Sequence, residues 1–145
     1  MVIVAAVDRS DRAPGILEQA EVLAERFDEP VHAIYVRKRS EVVESQRQGI
    51  SKSDVSNVDE VRAEVKSVAA DILADSGITV ESDATGRIGD PADQIVKYAT
   101  EQNARYIVVS PRRRSQTGKM IFGSVAQSVL LNAECPVVSV LREPS

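Results

Sequence analysis

Val2-Ile3-Val4-Ala5-Ala6-Val7-Asp8 is the stretch on which the fold turns. An apolar run this short and unbroken fits a strand covered on both faces, as the strands of a parallel sheet are; a strand with one wet face would alternate. Asp8-Arg9-Ser10-Asp11 then breaks the run. Behind the break, Ile16, Leu17, Ala20, Leu23, Ala24 and Phe27 recur at helical spacing. Pro14 falls in the first turn, where its missing N–H removes no helical bond.

The same alternation continues along the chain. Val31–Val36 reads as a second buried strand. The polar, unperiodic segment 37–56 is long for a connection, and it reads as a mobile flap or a partly helical stretch. Asn57 with Glu60 makes an N-terminal capping pattern, followed by an apolar face of Val58, Val61, Val65, Val68 and Ile72, with Gly77 as the stop. Ile78–Thr85 reads as a strand near an edge. Asp90-Pro91 is a cap followed by proline at the first helical position, and Ile95, Val96 and Ala99 form the stripe behind it. Tyr106–Val109 is a fourth strand, a helix starts near Gly123-Ser124, and Val137–Leu141 is the last strand.

Five strands alternating with helices predict right-handed parallel crossovers and an α/β fold with helices on both faces of the sheet. The 145 residues suit one domain over 1–145, with neither repeat nor linker. A net charge of −4 and a pI near 5.1 speak against a nucleic-acid partner, which usually meets a basic domain. Nothing apolar reaches the ~18–20 residues of a membrane span. Cys135 is the single cysteine, so no intrachain disulfide forms and a reducing, cytoplasmic setting is expected. The N-terminus lacks a basic leader and reads as strand rather than signal peptide.

In such sheets ligands lie beyond the carboxyl ends of the strands where the winding reverses, here the turns after Val7 and Val109. Gly123-Ser124-Val125 opens a helix whose unpaired N–H groups attract an anion. Ser124 either adds a donor to that site or simply caps the helix. Asp8 either accepts bonds from a ribose or base, or serves its own turn. Arg112, Arg113 and Arg114 either grip an anion or stand in solvent. Gly118-Lys119 is not a P-loop, because Arg113 and Met120 occupy positions that need glycine and Ser or Thr. The dinucleotide G-x-G-x-x-G fingerprint is also absent. His32 has no positioned nucleophile and reads as structural, and Cys135 reads as a small buried hydrophobe. One His and one Cys exclude a zinc site of familiar spacing.

Val7-Asp8, Gly89-Asp90-Pro91-Ala92 and Phe122-Gly123-Ser124-Val125 with Pro136-Val137, in this order and spacing, resemble the universal stress protein family along essentially the whole chain. The resemblance implies a Rossmann-like, adenine nucleotide alpha hydrolase-like fold: a five-stranded parallel sheet of order 3-2-1-4-5, commonly in a homodimer. Nucleotide-binding members carry G-x2-G-x9-G-[ST]. Its positions fall here on Ser110, Arg113, Gly123 and Ser124, so the spacing and the final pair are kept while both leading glycines are lost. Ser110 is a mild change; Arg113 sets a large side chain where backbone would meet phosphate. By the resemblance, Ala6, Asp8 and Val36 line the adenine and ribose end, Val109 and Ser110 flank the sugar, and Gly123, Ser124 and Val125 meet the phosphates.

The expected function is a non-enzymatic stress-response protein holding ATP or another adenine nucleotide, with Mg if the ligand is a triphosphate. The rival expectation is a dimeric interaction protein that has lost the nucleotide. A weak ATPase ranks last, since no water-activating base with a metal partner is evident. The apolar run Val137–Leu141, placed at the sheet edge by the resemblance, is expected to pair with a second copy.

Overall fold

The computed structural model describes residues 1–42, 57–111, 113–114, 120–121 and 123–141. The elements follow in the order β1 (Val2–Ala6), α1 (Ala13–Phe27), β2 (Val31–Arg37), α2 (Asn57–Ser76), β3 (Ser82–Ile88), α3 (Pro91–Glu101) and β4 (Ala104–Val109). Two short strands come next, β5 (Arg113–Arg114) and β6 (Met120–Ile121), then α4 (Ser124–Asn132) and β7 (Val137–Ser139).

Five strands form one parallel sheet in the order β3-β2-β1-β4-β7, the expected 3-2-1-4-5 arrangement. The unbroken apolar run is central, and its side chains alternate between two cores. Ile3, Ala5 and Val7 pack with Ile16, Leu17, Ala20 and Ala24 of α1, and Ile72 and Leu73 of α2 close the same layer. Val4 instead joins Ile34, Ile107 and Val109 beneath Ile95, Tyr98 and Ala99 of α3 and Ala126 and Val129 of α4. Helices thus cover both faces. This is why β1 shows no polar alternation: each side chain meets a helix whichever way it points.

Local signals place the ends of the elements. The Asp90 carboxylate accepts the Asp93 N–H at 3.0 Å and caps α3, with Pro91 inside the first turn. Gly77 terminates α2 with φ +74°, a backbone region that suits glycine. The buried face of α2 is carried by Val65, Val68 and Ala69. The capping pattern of Asn57 and the apolar Val58 concern side chains outside the described residues.

All five strands of the parallel sheet have boundaries that differ from expectation. β1 stops at Ala6, one residue before Val7, and β4 starts at Ala104, two residues before Tyr106. β3 runs Ser82–Ile88 rather than Ile78–Thr85. Ile78 and Val80 spend their apolar surface against the core from the preceding loop, while a mostly polar segment pairs in register with β2 from Val31↔Ser82 to Arg37↔Ile88. β2 extends one residue beyond Val36, to Arg37. β7 is shorter than Val137–Leu141 and stops at Ser139. One further bond, from Val140 N–H to the Val109 carbonyl at 2.8 Å, continues its attachment to β4. The antiparallel pair β5–β6, Arg113↔Ile121 and Arg114↔Met120, was not expected from the sequence.

Candidate functional site at the carboxyl edge of the sheet

The chain leaves β1 toward β2 through α1 on one face and reaches β4 through α3 on the other, so the winding reverses beside β1. A crevice opens there, beyond the strand ends. Its cavity of about 210 Å³ is bounded by Ala6, Ile34, Val36 and Val109 from the strands and by Ile16, Ile95 and Val125 from three helices. Such an apolar floor accepts a flat ring, and specificity must come from the few polar groups on the rim.

Asp8 is the first of these. Its two oxygens accept the Ser10 N–H and an Arg12 Nη2 donor, each at 2.9 Å. Partial burial pushes this carboxyl upward, but the bonds from Ser10 and the Arg12 charge outweigh it and hold the group below its ordinary 3.8. Asp8 therefore stays ionised at neutral pH, ready to accept from a hydroxyl or amine. Arg12 itself lines the cavity, as do Lys38 and Glu41 from the helical turn that follows β2. The Glu41 and Val42 N–H groups bond back to the Lys38 carbonyl. Of the segment 37–56 only this beginning is described; 43–56 lie outside the described residues.

Across the cavity is the start of α4. Gly123 is its N-cap, with φ −68° and ψ 163°, and it offers no side-chain cap. The first helical bond runs from Gln127 N–H to the Gly123 carbonyl at 3.0 Å. The N–H groups of Ser124, Val125 and Ala126 precede it, and such donors with the helix dipole favour an anion.

Of the residues expected at the site, the structure brings together Ala6, Asp8, Val36, Val109, Ser110, Gly123 and Val125. The Ser124 side chain is exposed and does not line the cavity, so any part it plays there falls to its backbone N–H. The backbone of Arg113 belongs to β5, and its side chain lies outside the described residues, as do Arg112 and the Gly118-Lys119 pair. Ser110 has a second engagement: its hydroxyl donates to the Val140 carbonyl at 3.1 Å and so ties the turn after β4 to the segment after β7. The rim residues Arg12, Lys38 and Glu41 escaped the sequence reading, because only the closure of the sheet brings the start of α1 and the end of β2 together.

His32 and Cys135 stand apart from the crevice. His32 Nδ1 lies 2.7 Å from the Tyr98 hydroxyl, in a contact between β2 and α3. Cys135 is only partly buried against the α3–α4 core rather than fully buried as expected, and that partial burial raises its thiol above the ordinary value, which disfavours the reactive thiolate. Among the described residues no three His, Cys, Asp or Glu side chains converge as a metal site, and no helix is long and apolar enough to cross a membrane.

The sequence profile of the universal stress protein family matches residues 1–140. Universal stress protein YxiE of Bacillus subtilis is 31% identical, over 93% of this chain and 95% of its own. A universal stress protein from Archaeoglobus fulgidus superposes with a TM-score of 0.65 at 34% identity, over 97% of this chain and 98% of that one. A structure of the universal stress protein from Archaeoglobus fulgidus in complex with dAMP superposes at 0.62 with 30% identity, over 97% of both chains.

Proposed function

The chain belongs to the universal stress protein family, and on that premise we propose that it is a cytoplasmic, non-enzymatic stress-response protein, one domain over 1–145, that holds an adenine nucleotide between the carboxyl ends of β1 and β4. One observation carries the reading: an apolar crevice with an ionised Asp8 on one rim and the open N-terminus of α4 on the other. The floor of Ala6, Ile34, Val36 and Val109 suits a purine ring, Asp8 suits a ribose hydroxyl, and the first N–H groups of α4 suit a phosphate. The dAMP complex of the Archaeoglobus fulgidus relative supports the same ligand class. Should the ligand be a triphosphate, its own phosphates would carry most of the coordination of a magnesium ion, since no acidic cluster among the described residues offers a cage.

β7 is an edge strand, and Leu141 just beyond it is 57% exposed. An uncovered apolar edge favours pairing, so the dimer is assigned to antiparallel contact between two copies of Val137–Leu141 across a two-fold axis. Light scattering tests this, and a monomer at micromolar concentration would refute it.

A second reading, an interaction protein without nucleotide, draws on the Ser110 hydroxyl being engaged by Val140 and on arginine replacing glycine at position 113. Titration calorimetry with ATP, ADP and AMP separates the two, with Asp8→Ala and Ser124→Ala as controls. Binding weakened by Asp8→Ala supports the nucleotide reading. Absence of heat at millimolar nucleotide, in a protein that purifies without adenine absorbance, supports the second.

A further inference from the structure

We infer that Glu41 reads the base of the ligand by accepting a hydrogen bond from the amino group of an adenine ring. The inference rests on the nucleotide reading and adds to it a residue that chooses among purines. β2 and β4 flank β1 in the sheet, so their carboxyl ends stand two strand spacings apart, about 10 Å. The crevice thus offers a ligand three stations in a row. The open start of α4 suits the phosphate, and Asp8, just beyond β1, suits the sugar. The turn after β2, across the cavity from α4, is left for the base.

Two charged residues of that turn line the crevice, Lys38 and Glu41. The Glu41 N–H donates to the Lys38 carbonyl at 3.1 Å, and the Val42 N–H shares that carbonyl at 3.2 Å, so the backbone of the turn is held. The Glu41 side chain is exposed, and among the described residues no donor engages its carboxylate. Asp8, the other carboxylate lining the crevice, is already held by Ser10 and Arg12. Arg37, the cation just before the turn, faces Glu64 of α2 at 3.5 Å. A carboxylate only accepts, so it rewards a ring edge that donates and gives nothing to one that cannot. Adenine carries such a donor in its amino group, and over an apolar floor the polar edge of the ring is what remains to be recognised. Lys38 can donate to a ring nitrogen of any purine, so the choice among purines falls to Glu41.

Calorimetry on the full chain compares AMP with purine riboside 5′-monophosphate, which differs from it only in lacking the amino group. The wild type is expected to favour AMP by on the order of tenfold, the scale of one hydrogen bond to a charged group. Glu41→Ala should bring the two affinities within about twofold of each other. Glu41→Gln, whose amide oxygen still accepts, should keep part of the preference. Losing the charge at position 41 shifts both ligands alike through their common phosphate, so the ratio is what is read, and thermal melting confirms that each variant is folded. A preference that persists in folded Glu41→Ala, or a wild type that binds both ligands equally, overturns the inference while the nucleotide reading stands. If the wild type binds neither ligand, the nucleotide reading falls and takes the inference with it.

Discussion

Replacing Gly86 with alanine tests how tightly α2 lies on β3. A Cβ at this position would sit 2.7 Å from the Val65 carbonyl carbon and 2.8 Å from Lys66 Cα, and would also strike the Lys66 nitrogen. Carbon atoms prefer about 3.5–4.0 Å, so helix and strand must separate by roughly 0.7 Å or more. The obstructing atoms are helix backbone, which cannot rotate aside as a side chain tip can. Overpacking costs about 1–3 kcal/mol, and this rigid case belongs near the top. Alanine returns about 0.4–1 kcal/mol by restricting the unfolded chain. The net loss is about 2 kcal/mol, or a melting point lower by about 4–8 °C for a domain of this size. Circular dichroism on heating and urea titration give the two numbers, with the urea slope unchanged if the native fold persists. Separation of α2 should also disturb the 3.5 Å contact between Arg37 of β2 and Glu64 of α2. Gly77→Ala is the contrast: nothing lies within 4 Å of its Cβ, so only the positive φ is strained. A Gly86→Ala protein that melts at or above the wild type would refute the close approach.

Three further outcomes follow from individual contacts. Because Asp8 titrates below its ordinary 3.8 in the folded protein, its stabilisation is complete above that value and is lost as pH falls through the folded one; the stability gap between wild type and Asp8→Asn should shrink on acidification below about pH 4. A gap constant from pH 7 to pH 2.5 would contradict this. Ser110→Gly removes the bond to the Val140 carbonyl and loosens the unfolded chain, so stability should fall by about 1–2 kcal/mol, measured by urea titration, while nucleotide affinity is unchanged or stronger. Asp90→Ala deletes the cap of α3 and should cost about 1 kcal/mol; equal stability would mean that the bond to Asp93 N–H contributes nothing.

The sheet was legible wherever a single segment carried the whole signal. Val2–Ala6 had to be strand because two cores compete for its side chains, with Val7 just past its end, and Asp90-Pro91 had to start a helix because cap and proline act locally. β3 was misplaced for the opposite reason. Its residues Ser82, Asp83 and Thr85 lie at a sheet edge where hydropathy carries little information, whereas the apolar Ile78 and Val80 reach the core from a loop. β7 ended early where the β4 side continues into Pro111, which has no N–H for the Val140 carbonyl; that carbonyl instead accepts the Ser110 hydroxyl, a contact between segments thirty residues apart. At the site, Asp8 and Gly123 were legible as a strand end and a helix start, whereas Ala6, Val36 and Val109 of the floor followed only from the family resemblance and Ile34 from neither. Arg12 and Lys38 were not legible, because a basic residue in a loop acquires meaning only when the sheet brings another loop opposite it.

Amide nitrogen–proton correlation spectra recorded as AMP is added measure whether the opening turn of α4 meets a phosphate. Resonances of Ser124, Val125 and Ala126 should move saturably together with those of Asp8 and Val36, and adenosine should move the second group far more than the first. Unchanged amides at 124–126 beneath a saturated ligand would mean that the helix start is not where the anion is held.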